Sequence, residues 1–426
     1  MPIPIISHGV AEGISAIPHA FTVLKVAAVV TVVALLKYFF GGARNRSERL
    51  MHSKVVMVTG GTSGIGAAVV HDLASRGAQI ILLTQHAPTD VFLVDYIEDL
   101  RQTTNNELIY AEQVDLTSLH SIRTFATKWV DNAPPRRLDM IILCANTLKP
   151  SRNNPPKITP DGLDEEWQIN YLANFHLLSI LSPAIRAQPP DRDVRVIFKG
   201  STGKKSTKGK AGGGQNKKQS PSSLYGMTKL SLMVFAQAFQ KHLSAYKRPD
   251  QQPMNARVLV VDPGFSRTPG TRRWITGGSL WGLFLYLTTW PFWWLILKSP
   301  QQGAQTILYA AMEAKFGRSE ATGGWLLKEC REIDYLRKEV KDEQVAKQLW
   351  EFSERQIQEK EKEAATKRAL AKKANEEAKK TQNENKADTT TAAATASKNS
   401  STSSAAPSSG KKQTAGSRRN RKANNE

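Results

Sequence analysis

Two kinds of apolar pattern divide this chain. The first is short and punctuated. Lys54-Val-Val-Met-Val58 and Ile80-Ile-Leu-Leu83 are brief apolar runs, and Ala67-Ala-Val-Val-His-Asp-Leu-Ala74 between them has helical periodicity. Brief runs without alternation predict strands covered on both faces, as in a parallel sheet between helices. The second kind is long. Ala20 to Phe40 is nearly all hydrophobic, broken by Lys25 and Lys37. As a helix it would be roughly 30 Å long, enough to cross a bilayer core, with the lysines snorkelling from its ends. Trp274 to Leu297 is also apolar and holds Trp274, Trp281, Trp290, Trp293 and Trp294, five of the nine tryptophans. Tryptophan favours membrane interfaces. Fold-forming sequence continues after this segment, so it should dip into a membrane and return, bending at Gly277-Gly278 or Pro291.

The pattern changes again toward the C-terminus. Tyr335 to about Lys380 is dense in Glu, Lys and Ala and predicts an exposed helix with charge pairs at i,i+4. From Thr381 a Ser/Thr/Ala/Asn tract predicts disorder and ends on Lys411, Lys412, Arg418, Arg419, Arg421 and Lys422. A lysine- and glycine-rich loop, 203–218, adds to a net charge of +21. No aromatic platform or recognition motif accompanies this charge, so a nucleic-acid partner is not expected and an anionic membrane surface is. Arg44, Arg46 and Arg49 follow the first apolar segment and place what comes after on the cytosolic side. The residues before Lys25 lack the basic region of a signal peptide, which favours an anchor. Two cysteines, Cys144 and Cys330, imply no disulfide framework and fit a reducing compartment. The scattered histidines show no metal-ligand spacing.

Candidate chemistry sits at two places. Val-Thr-Gly60-Gly-Thr-Ser63-Gly64-Ile65-Gly66 follows the first run and opens the periodic segment. Strand, glycine turn and helix together predict a nucleotide-binding unit, with pyrophosphate at the helix N-terminus. Gly60 would allow the tight turn, and Gly64 and Gly66 the approach of a pyrophosphate. Tyr225 and Lys229 stand four apart in Leu-Tyr-Gly-Met-Thr-Lys-Leu, on one helix face. An ammonium close to a phenol favours the phenolate, so Lys229 should lower the Tyr225 pKa and fit it for proton exchange with a substrate oxygen.

Together these motifs resemble the short-chain dehydrogenase/reductase family, and within it the retinol-dehydrogenase-like group, which includes fungal members attached to lipid droplets. The resemblance runs from about Lys54 to Cys330. It implies a Rossmann-type, doubly wound parallel α/β sheet. Asp115, closing a third strand, would contact adenine. Asn170, in Asp161-Gly-Leu-Asp-Glu-Glu-Trp-Gln-Ile-Asn170, would hold a water in a proton relay behind Lys229. Ser201, ending Arg195-Val-Ile-Phe-Lys-Gly-Ser201, would orient the substrate oxygen. Pro263, Gly264, Ser266 and Thr268 match the turn that closes over the nicotinamide. Gln301–Glu313 and Thr322–Leu327 match the last helix and strand. Two positions depart from the family pattern. Asn146 replaces a glycine that lets the cofactor ribose approach. Gly200 replaces a second serine, leaving Ser201 the candidate there; Ser206, Ser220, Ser222 and Ser223 read as loop serines.

The second run ends in Thr84-Gln85-His86, with no carboxylate to bind a ribose 2′-hydroxyl or repel a 2′-phosphate. NADP is therefore expected in preference to NAD. At 426 residues the chain exceeds the roughly 250–280 that one such domain needs. The expected organisation is an N-terminal anchor at 1–50, a dehydrogenase domain at 51–330 with a membrane-associating insertion at 274–297, a charged helix at 331–380 and a basic tail at 381–426. The expected protein is an oxidoreductase of the lipid droplet or endoplasmic reticulum membrane. It would interconvert hydroxyl and carbonyl on a lipophilic substrate of retinoid, sterol, fatty-aldehyde or 3-oxoacyl type. A homo-oligomer stays open, as does the alternative of a non-catalytic membrane scaffold on a retained dehydrogenase fold.

Overall fold

The brief apolar runs form the centre of one sheet. The computed structural model describes residues 19–149, 157–201, 221–318, 323–335 and 337–398. Its strands are β1 (Val55–Thr59), β2 (Gln79–Thr84), β3 (Ile109–Gln113), β4 (Met140–Leu143), β5 (Val194–Lys199), β6 (Ala256–Asp262), β7 (Trp325–Lys328) and β8 (Arg331–Ile333). They lie in the order β3-β2-β1-β4-β5-β6-β7-β8. All neighbours are parallel except β7 and β8. Val58 pairs with Leu82 on one side and Ile142 on the other, so the strand order reverses at β1. A crevice outside the carboxyl ends of β1 and β4 follows from that reversal.

The helices are α1 (Ala20–Gly41), α2 (Gly64–Ser75), α3 (Val91–Thr104), α4 (Leu119–Val130), α5 (Glu165–Trp167), α6 (Ala173–Arg186), α7 (Pro221–Ser244), α8 (Pro269–Ile275), α9 (Leu280–Thr288), α10 (Trp290–Ile296), α11 (Pro300–Met312), α12 (Lys315–Arg318) and α13 (Glu343–Lys398). A π-helical turn, Gln168–Leu172, joins α5 to α6. Alternate strand residues face opposite layers, as a period of two requires. Val56, Val58, Ile80 and Leu82 pack with Val69, Leu73, Ile307 and Leu308 of α2 and α11. Met57, Ile81 and Leu83 face the other way, toward Phe125, Phe175 and Phe235 of α4, α6 and α7.

The C-terminal region departs from the expectation of an exposed helix. Residues 331–333 add the antiparallel edge strand β8, and the helix begins only at Glu343. The compact unit extends to Glu363. Within it Leu349, Ser353 and Ile357 are buried in the same core as Phe175 and Phe235. Trp350 packs on both rings, and the Tyr171 hydroxyl lies 2.7 Å from Ser353 Oγ. The charge pattern of the outer faces concealed an inner apolar stripe at 345, 346, 349, 350 and 357. Ala364 onward forms a second unit, in which the helix continues to Lys398, past the expected boundary at Thr381. The lysine-rich loop 203–218 and the basic tail end lie outside the described residues.

Both long apolar segments are helical. Helix α1 has exposed apolar side chains along its length, and Phe21–Gly41 is long and apolar enough to cross a membrane. The second segment folds as a helical hairpin. Gly277 and Gly278, at φ 60° and 72°, turn the chain between α8 and α9. Thr289 makes the turn into α10, its hydroxyl accepting from Trp293 Nε1 at 2.8 Å. At nine and seven residues, α9 and α10 reach about 10–14 Å, under half of a bilayer core. Trp281, Phe284, Leu285 and Phe292 are exposed. Lys37 does not snorkel outward as expected: its ammonium donates to the carbonyls of Trp294 and Leu297 and sits 4.8 Å from the Trp294 ring centroid. The unpaired carbonyls at the end of α10 attract the cation and bind α1 to the hairpin.

Candidate active site

The strand-order reversal opens a cavity of about 790 Å³. Of the residues expected there, Gly60, Ser63, Gly64, Ile65, Gly66, Asp115, Ser201, Tyr225, Pro263, Gly264, Ser266 and Thr268 all line it. Asn170 and Lys229 are not on its wall. Both are buried, Lys229 directly behind Tyr225 with its ammonium 5.6 Å from the phenol ring centroid.

The glycine turn is built by packing as much as by ligand access. Gly60 and Gly64 hold φ of 66° and 59°, where a side chain is strained. A Cβ on Gly66 would lie 2.1 Å from the Gly60 carbonyl oxygen. Gly66 therefore lets the first turn of α2 close on the end of β1, in addition to its expected role beside a pyrophosphate. We expect Gly66→Ala to spread this turn and weaken nucleotide binding at least tenfold, since overpacking costs about 1–3 kcal/mol. Titrating cofactor fluorescence measures this; wild-type affinity in the variant would show that the turn is not the cradle.

Asp115 closes its own loop, its carboxylate accepting from Thr117 N and Oγ1 at 2.8 and 2.7 Å. The residues present fit a dinucleotide. The turn meets a helix N-terminus, and two polar atoms on the cavity wall, Ser266 Oγ and Asn146 Oδ1, are buried without a hydrogen-bond partner. At the end of β2 the wall is Thr84, Gln85 and His86, and His86 Nδ1 lies 4.0 Å from Asp90 Oδ2.

The proton chemistry differs from the expected pairing. Burial pushes the Tyr225 phenol up to about 12, partly opposed by a hydrogen bond from Asn146 and reinforced by Glu166 and Asp262. Lys229 does not lower it. Burial, with the like charge of Lys199, pulls the Lys229 ammonium down to about 7. Its Nζ donates to the Lys199 carbonyl at 3.1 Å. An ammonium weakened in this way polarises the phenol little, and the Lys199 carbonyl takes only one of its N–H groups.

Asn170 is locked in place. Its Oδ1 accepts from Thr147 N and its Nδ2 donates to Thr147 O, each at 2.8 Å. The π turn around it is the kind of local distortion often found at functional sites. Four wall or near-wall residues escaped the sequence reading. Asn146, read only as a lost glycine, bonds the Tyr225 phenol. Lys328 and Ile333 reach the cavity from β7 and β8. Glu166, one turn before Asn170, is a buried carboxyl; an acidic residue in an acidic helix start gave no signal.

A reversed parallel α/β sheet, a glycine cradle and a Ser–Tyr–Lys set define a nucleotide-dependent oxidoreductase scaffold. The chain belongs to the short-chain dehydrogenase family, whose model matches residues 54–277. An uncharacterized oxidoreductase, pbr1, of Schizosaccharomyces pombe is 42% identical over 370 residues, spanning 85% of this chain and 97% of its own. Retinol dehydrogenase 13 of Mus musculus is 29% identical, spanning 78% of this chain and 93% of its own. Polyprenol dehydrogenase of Homo sapiens is 28% identical, spanning 80% and 96%.

Proposed function

We propose that this protein is a membrane-attached, NADP(H)-dependent oxidoreductase that interconverts hydroxyl and carbonyl groups on a lipophilic substrate. One observation carries the reading: Ser201 and Tyr225 share a single cavity with the glycine turn, and Lys229 is buried behind the phenol. When bound, the nicotinamide supplies or accepts the hydride. Tyr225 gives the substrate oxygen a proton or removes one. Ser201 donates a hydrogen bond to the same oxygen and orients it. Asn146 holds the phenol by its amide. Lys229 stands behind Tyr225 as its proton partner, and Asn170 fixes the loop after β4.

The lipophilic substrate class is supported by the retinol and polyprenol dehydrogenase relatives and by the apolar rim. Phe265 and Trp274 line the cavity mouth, and Trp274 leads into the exposed hairpin α9–α10. A hairpin seated in a lipid surface would deliver substrates from that surface to Tyr225. With α1 beside it, this favours the cytosolic face of the endoplasmic reticulum or a lipid-droplet surface. NADP(H) is favoured because the end of β2 carries no carboxylate. The test is cofactor absorbance with the purified full chain in detergent, offered retinal, long-chain aldehydes and ketosteroids. We expect NADPH oxidation with at least one of them, at least tenfold faster than with NADH. Equal rates with NADH would overturn the cofactor assignment. Cofactor binding without turnover on any substrate would favour a scaffold.

A further inference from the structure

Glu166 is a buried charged residue that acts on both Tyr225 and Lys229 and that none of the roles above uses. It is 3% exposed, and both carboxyl oxygens are buried without a hydrogen-bond partner. It lies on α5, which packs on α7, the helix of Tyr225 and Lys229. The charged groups that face it are Asp164 on its own element, Lys149 from the loop after β4, and Lys229 from α7. Tyr225, also on α7, senses it in turn. An isolated carboxylate buried without a partner is costly, so such a group is retained in protein interiors as the neutral acid or as part of a proton path.

We propose that Glu166 is the proton store behind the Tyr225–Lys229 pair. The inference rests on the oxidoreductase reading above. In the reductive direction the substrate carbonyl carbon gains hydride and its oxygen takes the Tyr225 proton. The phenolate regains a proton from the Lys229 ammonium, and the neutral amine regains one from the Glu166 carboxylic acid by way of a bridging water, because neither carboxyl oxygen bonds the amine directly. Glu166 then refills from solvent. In the oxidative direction each proton moves the opposite way. The energetics suit a shared proton: burial, with Asp164 adding to it, pushes Glu166 up to about 8, close to the lowered Lys229 at about 7. Groups of nearly matched acidity pass protons with little cost. The buried cluster also avoids holding two unmatched charges at once.

The experiment has two arms. In the first, infrared difference spectra of the full chain in detergent follow protonated carboxyl groups from pH 6 to pH 10. The wild type should show a buried carboxylic acid that titrates near pH 8 and is missing in Glu166→Gln. Lys229→Met removes a neighbouring positive charge and should move that midpoint upward. In the second arm, the pH profile of kcat is measured on whichever carbonyl substrate the panel yields. Reduction by the wild type should fall above about pH 8 as Glu166 loses its proton. Glu166→Gln should lose that limb and run about tenfold slower at neutral pH, a modest share of the 10²–10⁴ attributed to acid–base catalysis. Glu166→Asp should restore the limb. Thermal melting and cofactor titration check that the variants are folded. A Glu166→Gln protein with the wild-type profile and rate, or a carboxylic acid band that persists in it, overturns the proposal. So does a midpoint that Lys229→Met leaves in place. The infrared arm needs no turnover, so a protein inactive on every substrate would fail the oxidoreductase reading while the band still decides whether Glu166 and Lys229 share a proton.

Discussion

Tyr225→Phe should reduce kcat at least a thousandfold while leaving melting temperature and cofactor affinity near those of the wild type. Tyr225 lines the cavity with Ser201; in the proposed reaction its hydroxyl gives the proton, and general acid–base catalysis contributes about 10²–10⁴. The ring itself is retained, so the packing of α7 is undisturbed. The raised phenol pKa, about 12, sets the direction of the pH effect. A raised value keeps the phenol protonated at and below neutral pH, the form that donates in carbonyl reduction. Alcohol oxidation needs the phenolate, whose population grows tenfold per pH unit below that value. Oxidation should therefore rise steeply with pH while reduction stays level until the neighbouring groups titrate. Steady-state rates in both directions from pH 6 to pH 10 check this. Retention of more than a tenth of the activity in Tyr225→Phe would remove Tyr225 from the acid–base role.

What could be read in the sequence was local. The run Lys54–Val58, the glycines after it and the period of Ala67–Ala74 specify one strand–turn–helix because each step is decided by nearest neighbours. Tyr225 and Lys229 share a helix face for the same reason. The acidities were not legible, because they are set by distant chain. Lys199, thirty positions upstream, and the burial of the amine decide the state of Lys229. Asn146 comes from the end of β4, and its meaning changed once the fold placed it against the phenol. Glu166 had no sequence signal because an acid in a first helical turn is ordinarily a solvated complement to the helix dipole. The same limit explains the hairpin. Tryptophan clustering announced an interface, but only tertiary contact shows Lys37 tied into the end of α10 rather than reaching outward.

The C-terminal helix gives the largest stability effect. Ending the chain after Lys341 should leave the dehydrogenase core unable to fold to a soluble, cooperative state, although every residue of the expected domain is still present. Phe235 meets the rings of Tyr171, Phe175, Phe198 and Phe239 within the sheet layer, and Trp350 of α13 covers it from outside. Removing α13 uncovers these rings and takes away Leu349, Trp350, Ile357 and their neighbours. Burial of a large apolar side chain is worth about 1.5–3 kcal/mol, so losing several approaches the whole stability of a domain, about 5–15 kcal/mol. Polar ties go as well. The Arg123 guanidinium donates to both oxygens of Glu361 at 2.6 and 2.5 Å, and Trp167 Nε1 donates to Gln356 Oε1 at 2.9 Å. A chain ended after Glu363 keeps all of these contacts and should melt within a few degrees of the full protein. Comparing the two truncations by soluble yield and thermal melting separates the helix as core from the helix as appendage. Equal melting of both would restore the appended-helix expectation. The contrast also bears on catalysis, because Tyr171 lies in the π turn one residue after Asn170 and bonds Ser353. The buried face of α13 thus holds from behind the segment that carries Asn170 and Glu166.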